Sequence, residues 1–541
     1  MSSPEPTPAP EEGEGRRLAR RAGTVASFTL GSRILGYVRD ATMAYVFGAG
    51  VATDAFVAAH TIPNVLRRFV AEGTLVIAFV PLLTEEQGRG GLPAMRRFTA
   101  AVLGALLPLL VGLVAVGLLF PGVALDLFAS GFDASRAELG TELTRWMMPY
   151  LFFISLVAVA GGALNTVGVF AAPAAAPILL NLCIIAAILG LSGRIEPPIL
   201  AAAIGVTVGG LAQLALQVPY LAKRGLLVAP RWEPNHPSLR LLVRRMLPAV
   251  FGVGVYQLNM IVIRQLASFL PDGQLSQYFF ASRLQEFALG VFAVSISVAA
   301  LPTLSQHAAR KDAKAVFATF GRAARATSFL TVPATAGLLV LTDPIVGTLF
   351  RHGAFGADDA LGTSALVRIM AIALVPIGAV RVMVPTYYAV GDTRTPVLAA
   401  TVSLLSTAGL GFVLSERFEI GGLTAATTLA ATFQMVLLGG LFARRIRAAL
   451  GVEVEGSGLG RLFPHAIRCV AAVLPGALLC FWLASLGTWM DGAIVVNALS
   501  LMGLGVLLIG LYFGFSRLLR IEEGALILGA VTRKLGRARP G

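Results

Sequence analysis

Long apolar runs separated by short polar connections fill almost the whole chain. Apolar windows of about 18 residues or more, each long enough for a helix to cross a bilayer, recur throughout. The pattern predicts an all-α integral membrane protein with 14 transmembrane helices. We place these spans at 23–47, 52–83, 97–120, 141–167, 173–191, 197–221, 241–269, 275–304, 319–341, 362–389, 396–414, 420–443, 465–487 and 492–515.

The composition supports this interpretation, and the charge distribution predicts the orientation. Hydrophobic residues make up 56% of the 541 residues and charged residues only 13%, which excludes an ordinary soluble protein. The N-terminal segment, the even-numbered connections with the span ends beside them, and the C-terminal tail hold 30 of the 43 Lys and Arg residues, whereas the odd-numbered connections hold four. Because basic residues concentrate on the cytoplasmic side of a membrane protein, we expect both termini in the cytoplasm. The net charge of +14 therefore reflects topology, and no nucleic-acid partner is expected.

The cysteines and histidines do not predict a metal or cofactor site. The three cysteines lie in apolar segments without a CxxC pair, as small core residues do. The five histidines are scattered along the chain without ligand-like spacing. We therefore expect no cofactor, although a coupling cation or the membrane potential could drive the protein.

A weak internal repeat divides the predicted spans into two halves. The segments "VGVFAAP" (167–173) and "VGDTRTP" (390–396) share V-G-x4-P at equivalent junctions, six spans apart. Two halves in the same orientation are typical of several secondary transporters. The repeat predicts two pseudo-symmetric six-helix lobes plus two accessory helices. The predicted domains are a disordered, basic N-terminal tail (1–22), an N-lobe (23–224), a C-lobe (225–447), the accessory helices (448–520) and a basic C-terminal tail (521–541).

The first predicted span carries charges that lipid would not tolerate. The stretch "GSRILGYVRD" (31–40) places Ser32, Arg33, Arg39 and Asp40 inside an apolar segment. Each charged side chain near the bilayer centre costs about 2.5–3.5 kcal/mol on insertion scales. By helical spacing Ser32 shares a face with Arg39, and Arg33 shares another with Asp40. These residues therefore indicate an aqueous or protein-lined interior.

Spans two and eight repeat this pattern. Span two contains Asp54, Asn64, Arg67 and the pair Arg68 and Glu72, whose spacing of four residues allows an ion pair. Pro63 predicts a kink in the same span. In span eight, Arg283 and Glu286 are three residues apart, so a structural ion pair is an alternative to a binding role.

The embedded cations outnumber the embedded anions. Six arginines, including Arg264 of span seven, face only four carboxylates: Asp40, Asp54, Glu72 and Glu286. Buried cations in excess need an anion from elsewhere, and the planar donor fork of arginine suits a phosphate or diphosphate. The spans therefore predict an anion-binding chamber, in which Asp54 and Glu286 could hold arginine side chains when the chamber is empty.

Six motifs in order resemble one family. "GSRILGYVRD", "ATDAF" (52–56), "IPNVLRRFVAEG" (62–73), "GALNT" (162–166), "ASRLQEF" (281–287) and "GDTRTP" (391–396) are similar to those of the MurJ/MviN lipid II flippases of the MOP exporter superfamily. The resemblance implies a cationic cavity between two lobes, alternating access, and lipid II as the substrate. It also implies that the accessory helices bind the polyprenyl tail and that the protein lies in the inner membrane of a bacterial cell. We expect a monomer in contact with membrane lipids.

The resemblance also implies which residues bind the substrate. Ser32, Arg33, Arg39, Asp54, Arg67 and Arg283 correspond to the family's cavity residues, with Asn64, Glu72 and Glu286 nearby and Asp40 and Arg68 in support. The basic residues would bind the diphosphate. Asp392 in "GDTRTP" has two interpretations, a cation site or a cap on span eleven.

Two other functions remain as alternatives. A related exporter could carry a drug or another lipid-linked oligosaccharide, although drug exporters have no reason to keep the arginines of spans one and two. A membrane enzyme acting on polyprenyl phosphates would need clustered carboxylates such as DDxxD, or a catalytic His and Asp pair. The acidic residues here are single and dispersed, so we expect a transporter and not an enzyme.

Overall fold

The computed structural model describes residues 12–70, 74–451, 460, 462–491 and 493–526, and the regular structure in these ranges is helical throughout. Residues 522–526 are helical, and they follow 16 helices in this part of the chain: α1 (Glu12–Phe47), α2 (Val51–Val70), α3 (Thr74–Leu119), α4 (Pro121–Ala129), α5 (Ala134–Thr166), α6 (Ala171–Leu191), α7 (Leu200–Lys223), α8 (Pro237–Ser268), α9 (Gln274–Ala309), α10 (Ala313–Val340), α11 (Thr342–Phe350), α12 (Ala357–Ile372), α13 (Leu374–Ala389), α14 (Arg394–Leu450), α15 (Leu462–Ser485) and α16 (Ile494–Leu518).

The all-α membrane fold is confirmed, and within the described residues every predicted span lies mainly on helix. Eight described segments are long and apolar enough to cross a membrane, or nine when the bent pair α12 and α13 is counted as one span. Two of these segments, 51–119 and 394–450, each carry two predicted spans. The total of 14 transmembrane helices stays a prediction.

The longest helix contains a chain reversal. A straight helix of 57 residues would be about 86 Å long, nearly three times the hydrocarbon core of a bilayer. Glu419 interrupts α14 with φ 49° and ψ −134°. Past this break the chain turns back on itself. The close approach of the two sides shows this, since a Cβ on Gly422 would lie 2.1 Å from the carbonyl oxygen of Leu414. The break accounts for two predicted spans within one continuous helical segment.

The predicted span 362–389 is bent rather than straight. Helices α12 and α13 meet at Ala373 with an angle of 43° between them. Pro376 provides the physical cause, because its ring lacks an N–H and clashes with the carbonyl of Ile372 in a regular helix. The short helices α4 and α11 follow spans three and nine and were not predicted from the sequence.

The chain forms two compact units. The N-terminal unit comprises 1–43, 58–128 and 133–254. Within it, α6 and α7 approach closely because small residues face the neighbouring backbone. A Cβ on Gly205 would lie 2.8 Å from Cα of Ile184, and one on Gly209 would lie 3.1 Å from Cα of Leu180. Small residues at such positions are a common packing device between membrane helices.

The C-terminal unit comprises 44–57, 129–132 and 255–541. One aromatic core joins α10, α13 and α14, where the hydroxyl of Tyr387 donates to the carbonyl of Leu438 at 2.7 Å. A second core joins α15 and α16 to α10, where the hydroxyl of Tyr512 donates to the carbonyl of Phe329 at 2.8 Å. The accessory helices thus pack on α10. The predicted domain boundaries stay predictions.

Candidate functional site

The two charges at the end of "GSRILGYVRD" bind each other. Nε and Nη2 of Arg39 donate to one carboxylate oxygen of Asp40 at 2.9 and 2.6 Å. Nη1 of Arg39 donates to the side-chain oxygen of Asn181 on α6 at 3.1 Å. The amide nitrogen of Asn181 donates in turn to the carbonyl of Ser32 at 3.0 Å. Asn181 therefore holds both ends of this stretch of α1 against α6.

This arrangement leaves part of the Arg39 guanidinium available. A guanidinium has five N–H groups, and within the described part of the chain three of those of Arg39 have a partner. The side chain is 15% exposed and that of Asp40 only 3%, so the pair is largely shielded from water. Asp40 balances the charge of Arg39, while two N–H groups remain for a ligand.

Arg33 differs from Arg39 in its surroundings. It is half-buried on α1, and no hydrogen bond or ion pair joins its side chain to another described residue. By helical spacing Arg33 shares a face with Asp40, but in the structure the Asp40 carboxylate forms its ion pair with Arg39. Among the residues described in the N-terminal unit, Arg33 is thus a guanidinium whose charge is available to an external anion.

The second set of predicted residues lies on α2. Nη1 of Arg67 donates to the hydroxyl of Tyr150 on α5 at 3.0 Å, and Tyr150 is itself buried. Asn64 donates to the carbonyl of His60 at 2.8 Å, one helical turn earlier. Arg68 is half-buried. Glu72 lies outside the described residues, so its pairing with Arg68 stays a prediction.

In the C-terminal unit, Asp54 caps a helix. Its two carboxylate oxygens accept hydrogen bonds from the backbone nitrogens of Gly273 and Ser276, both at 2.7 Å. These donors belong to the start of α9, where a helix leaves N–H groups without intrahelical partners. Asp54 has no exposed surface. Its described contacts are structural, and its contact with substrate stays a prediction.

Arg283 forms the ion pair that its spacing allows. Nη1 of Arg283 donates to Glu286 at 2.8 Å, and the guanidinium carbon lies 4.6 Å from the centre of the Phe279 ring. The Arg283 side chain is 29% exposed. The cation–π contact and the ion pair together fix the direction of the guanidinium.

Arg264 on α8 is the most buried of the embedded arginines. Its exposed fraction is 5%, and its guanidinium carbon lies 6.0 Å from the Tyr278 ring centre. Within the described part of the chain, Nε and Nη1 have no hydrogen-bond partner. It adds a further positive charge to the interior of the C-terminal unit.

Asp392 caps the start of α14, which is one of the two roles predicted for it from the sequence. One oxygen accepts from the backbone nitrogen of Thr395 at 3.0 Å and the other from the Thr395 hydroxyl at 2.6 Å. These bonds close the first turn of α14. The cation-site interpretation of Asp392 stays a prediction.

Sequence reasoning missed the residues that position the arginines. Asn181 and Tyr150 lie on α6 and α5, far from Arg39 and Arg67 along the chain. One signal was available for Asn181, which is a single amide within the apolar run "ILLNLCII" (178–185). Polar side chains within membrane helices commonly face a polar interior or bond to another helix.

The chain is similar to known proteins of one family. The family model described as lipid II flippase MurJ matches residues 43–511. The probable lipid II flippase MurJ of Vibrio cholerae is 34% identical over 517 residues, which cover 94% of this chain and 97% of that protein. The lipid II flippase MurJ of Burkholderia cenocepacia is 34% identical over 505 residues, covering 92% and 96%.

Solved structures agree with this assignment. A structure of lipid II flippase MurJ in an inward closed conformation is 25% identical with a TM-score of 0.74, and the match covers 91% of this chain and 98% of that one. An inward-facing multidrug resistance MATE family transporter of the MOP superfamily is 15% identical with a TM-score of 0.67, covering 79% and 100%, and shows the shared fold. The chain belongs to the lipid II flippase MurJ family.

Proposed function

We propose that this chain moves lipid II from the cytoplasmic to the outer leaflet of the bacterial inner membrane, and that Arg33, Arg39 and Arg67 bind its diphosphate. Family membership supports the substrate. The observation that carries the binding assignment is the half-buried Arg33, which has no hydrogen-bond or ion-pair partner among the described residues. Arg39 adds two N–H groups not used by Asp40 or Asn181.

The physical need for such residues follows from the substrate. A diphosphate joined to sugars and a peptide would lose its hydration on entering hydrocarbon, which costs several kcal/mol for each polar group. Guanidiniums can replace part of that hydration with charge-assisted, bidentate hydrogen bonds to phosphate oxygens. The polyprenyl tail can stay in lipid during transfer, and α15 and α16 offer it an apolar surface.

Transport requires two conformations with different access to the head group. Release on the outer side follows if the outward-open state binds the diphosphate less tightly than the inward-open state. The reaction makes and breaks no covalent bond, so the dispersed carboxylates need no catalytic role. The energy source we propose is a coupling cation or the membrane potential, with Asp392 as the candidate cation ligand.

The orientation follows from the positive charges. The basic N-terminal segment and C-terminal tail place both termini in the cytoplasm by the positive-inside rule. Each copy carries the complete set of candidate residues, so we propose that the protein acts as a monomer.

Growth of cells depleted of their own flippase tests the proposal. We expect Arg33→Ala, Arg39→Ala and Arg67→Ala each to abolish rescue while the protein still inserts at the parental level. Arg194→Ala is the matched control, because Arg194 is exposed in the connection after α6, and it should rescue fully. Rescue by all three variants at the parental level would overturn the diphosphate assignment.

A further inference from the structure

A cavity lined by several arginines lies in the C-terminal unit, and none of the candidate lipid II residues lines it. It has a volume of about 380 Å³ and lies where α10, the start of α15 and the segment after α16 meet. Six charged or titratable side chains line it: Arg325, His465, Arg468, Arg520, Glu522 and Glu523. By the positive-inside rule this end of the helices faces the cytoplasm.

One wall of the cavity is fixed by buried polar contacts. Glu523 is 8% exposed and accepts a hydrogen bond from Nε of Arg325 at 2.9 Å. Its other carboxylate oxygen lies 3.8 Å from Nδ1 of His465, whose Nε2 lies 3.2 Å from the carbonyl oxygen of Arg325. Glu523 therefore orients Arg325 and ties the segment after α16 to α10 and α15.

Two further arginines line the cavity without such partners. Arg468 and Arg520 are exposed, and no hydrogen bond or ion pair links their side chains to the rest of the described chain. Together with Arg325 they give three guanidiniums, against the carboxylates of Glu522 and Glu523, and Glu523 is already bonded to Arg325. The cavity thus presents guanidinium donors suited to an anion.

Arg520 occupies a backbone position that usually favours glycine. Its φ is 53°, in the left-handed region that residues with a Cβ rarely adopt. The backbone there closes the end of α16, with the nitrogen of Ile521 donating to the carbonyl of Ser516 at 2.8 Å. Helices that end in this way commonly have glycine in the left-handed position. An arginine at this position adopts a backbone conformation that is unfavourable for a residue with a Cβ, and its side chain lines the cavity.

Exposed apolar side chains flank the cavity-lining residues in the sequence. Phe463 and Ile467 on α15 are 74% and 52% exposed, Leu518 at the end of α16 is 73% exposed, and Leu526 is 68% exposed. Each of these side chains is within three residues of a cavity-lining residue in the sequence, and each suits contact with acyl chains. A ligand suited to both the guanidiniums and the exposed apolar side chains combines a phosphate with hydrocarbon chains. Anionic phospholipids have this chemistry, and basic pockets between membrane helices on the cytoplasmic side bind such head groups.

We propose that this cavity binds the phosphate of an anionic membrane phospholipid through Arg325, Arg468 and Arg520. Free inorganic phosphate offers the same oxygen atoms without the acyl chains, so a test must separate the two sources. The proposed lipid site is distinct from the lipid II residues on α1 and α2, and a failure of one assignment leaves the other intact.

Native mass spectrometry of the full chain in nonionic detergent measures this binding. The probes are phosphatidylglycerol and phosphatidylcholine with identical acyl chains. We expect phosphatidylglycerol to bind in preference, and Arg468→Ala and Arg520→Gly each to lower its affinity about fivefold, the effect of one basic residue near an anionic head group. Because glycine suits the backbone of residue 520, Arg520→Gly should unfold at the parental temperature or above in lipid-free detergent.

Arg517→Ala is the matched control, since Arg517 is exposed on the last turn of α16 and does not line the cavity. It should bind phosphatidylglycerol as the parent does. Parental affinity in both cavity variants, or an equal loss in Arg517→Ala, would overturn the proposal. Displacement of phosphatidylglycerol by millimolar inorganic phosphate would also overturn it, because the cavity would then be a site for the free anion.

Discussion

At the scale of single residues, the embedded arginines differ in what holds them. Arg39 is bonded to Asp40 and Asn181, Arg67 to Tyr150, and Arg283 to Glu286. The positive charges of Arg39 and Arg283 are therefore balanced by the neighbouring carboxylates of Asp40 and Glu286. The anion-binding account rests most heavily on Arg33, and Arg39 contributes two N–H groups that neither Asp40 nor Asn181 uses.

Asn181 offers a test of positioning that leaves every arginine in place. Asn181→Ala removes the acceptor of Arg39 Nη1 and the donor to Ser32. A hydrogen bond to a charged group contributes about 1.5–3 kcal/mol, so we expect diphosphate affinity to fall by about tenfold or more. Binding of lipid II to the purified protein measures this change.

The control for this variant is Cys183→Ala on the same helix. Cys183 is half-buried and free, so lipid II affinity should stay at the parental value. If Asn181→Ala also binds lipid II like the parent, then Asn181 does not position Arg39 for the substrate.

The sequence revealed the charges and the partner of Arg283, but not the partners of Arg39 and Arg67 on other helices. Arg33, Arg39 and Arg67 are conspicuous because a guanidinium is costly in lipid, and a single sequence shows that directly. The bond from Arg39 to Asn181 joins residues 142 positions apart, and it depends on how α1 packs against α6. The two backbone bonds to Asp54 depend in the same way on the position of α9.

At the scale of elements, apolar length made the spans predictable. In the described part of the chain each predicted span lies mainly on helix, because a membrane segment must satisfy its backbone hydrogen bonds internally. The break at Glu419 and the bend before Pro376 alter the helices without changing which residues they contain. Short helices such as α4 and α11 have nine residues each, which is too short for a hydropathy window to separate from the span before them.

The packing of α6 on α7 gives a prediction for Gly205. Gly205→Ala would place a Cβ 2.8 Å from Cα of Ile184, a backbone atom that cannot move alone. We expect a loss of about 1–3 kcal/mol in the free energy of unfolding. Thermal unfolding in detergent should show a lower midpoint for Gly205→Ala than for the parent. A Cβ on Gly190 of α6 would have no atom within 4 Å, so Gly190→Ala should unfold at the parental midpoint. Equal midpoints for the two variants would contradict this packing.

The cap on α9 predicts a different outcome for Asp54. Asp54→Ala removes the acceptor for the nitrogens of Gly273 and Ser276, and the loss should cost about 2 kcal/mol or more of stability. Thermal unfolding should shift downward in the absence of substrate. Asp126→Ala, at an exposed position in α4, is the control and should leave the midpoint unchanged. An unchanged midpoint in Asp54→Ala would indicate that the cap contributes little.

At the scale of the whole molecule, the chain combines membrane helices with cations that lipid cannot satisfy. The chain belongs to the lipid II flippase MurJ family, and our proposal is that those cations bind the diphosphate of lipid II. The sequence supplied the class of protein because hydropathy, charge asymmetry and motif order are properties of the chain itself. The energy source, the direction of movement and the conformations of the cycle depend on changes between states, and they enter here as proposals.

Transfer of lipid II by the purified protein in vesicles tests the central claim most directly. Lipid II that reaches the outer leaflet can be cleaved by a membrane-impermeant enzyme added outside, so the cleaved fraction reports transfer. We predict rapid cleavage with the parent and with Arg194→Ala, and cleavage at the protein-free rate with Arg33→Ala although it reconstitutes normally. Parental transfer by Arg33→Ala would contradict the claim that this guanidinium binds the diphosphate.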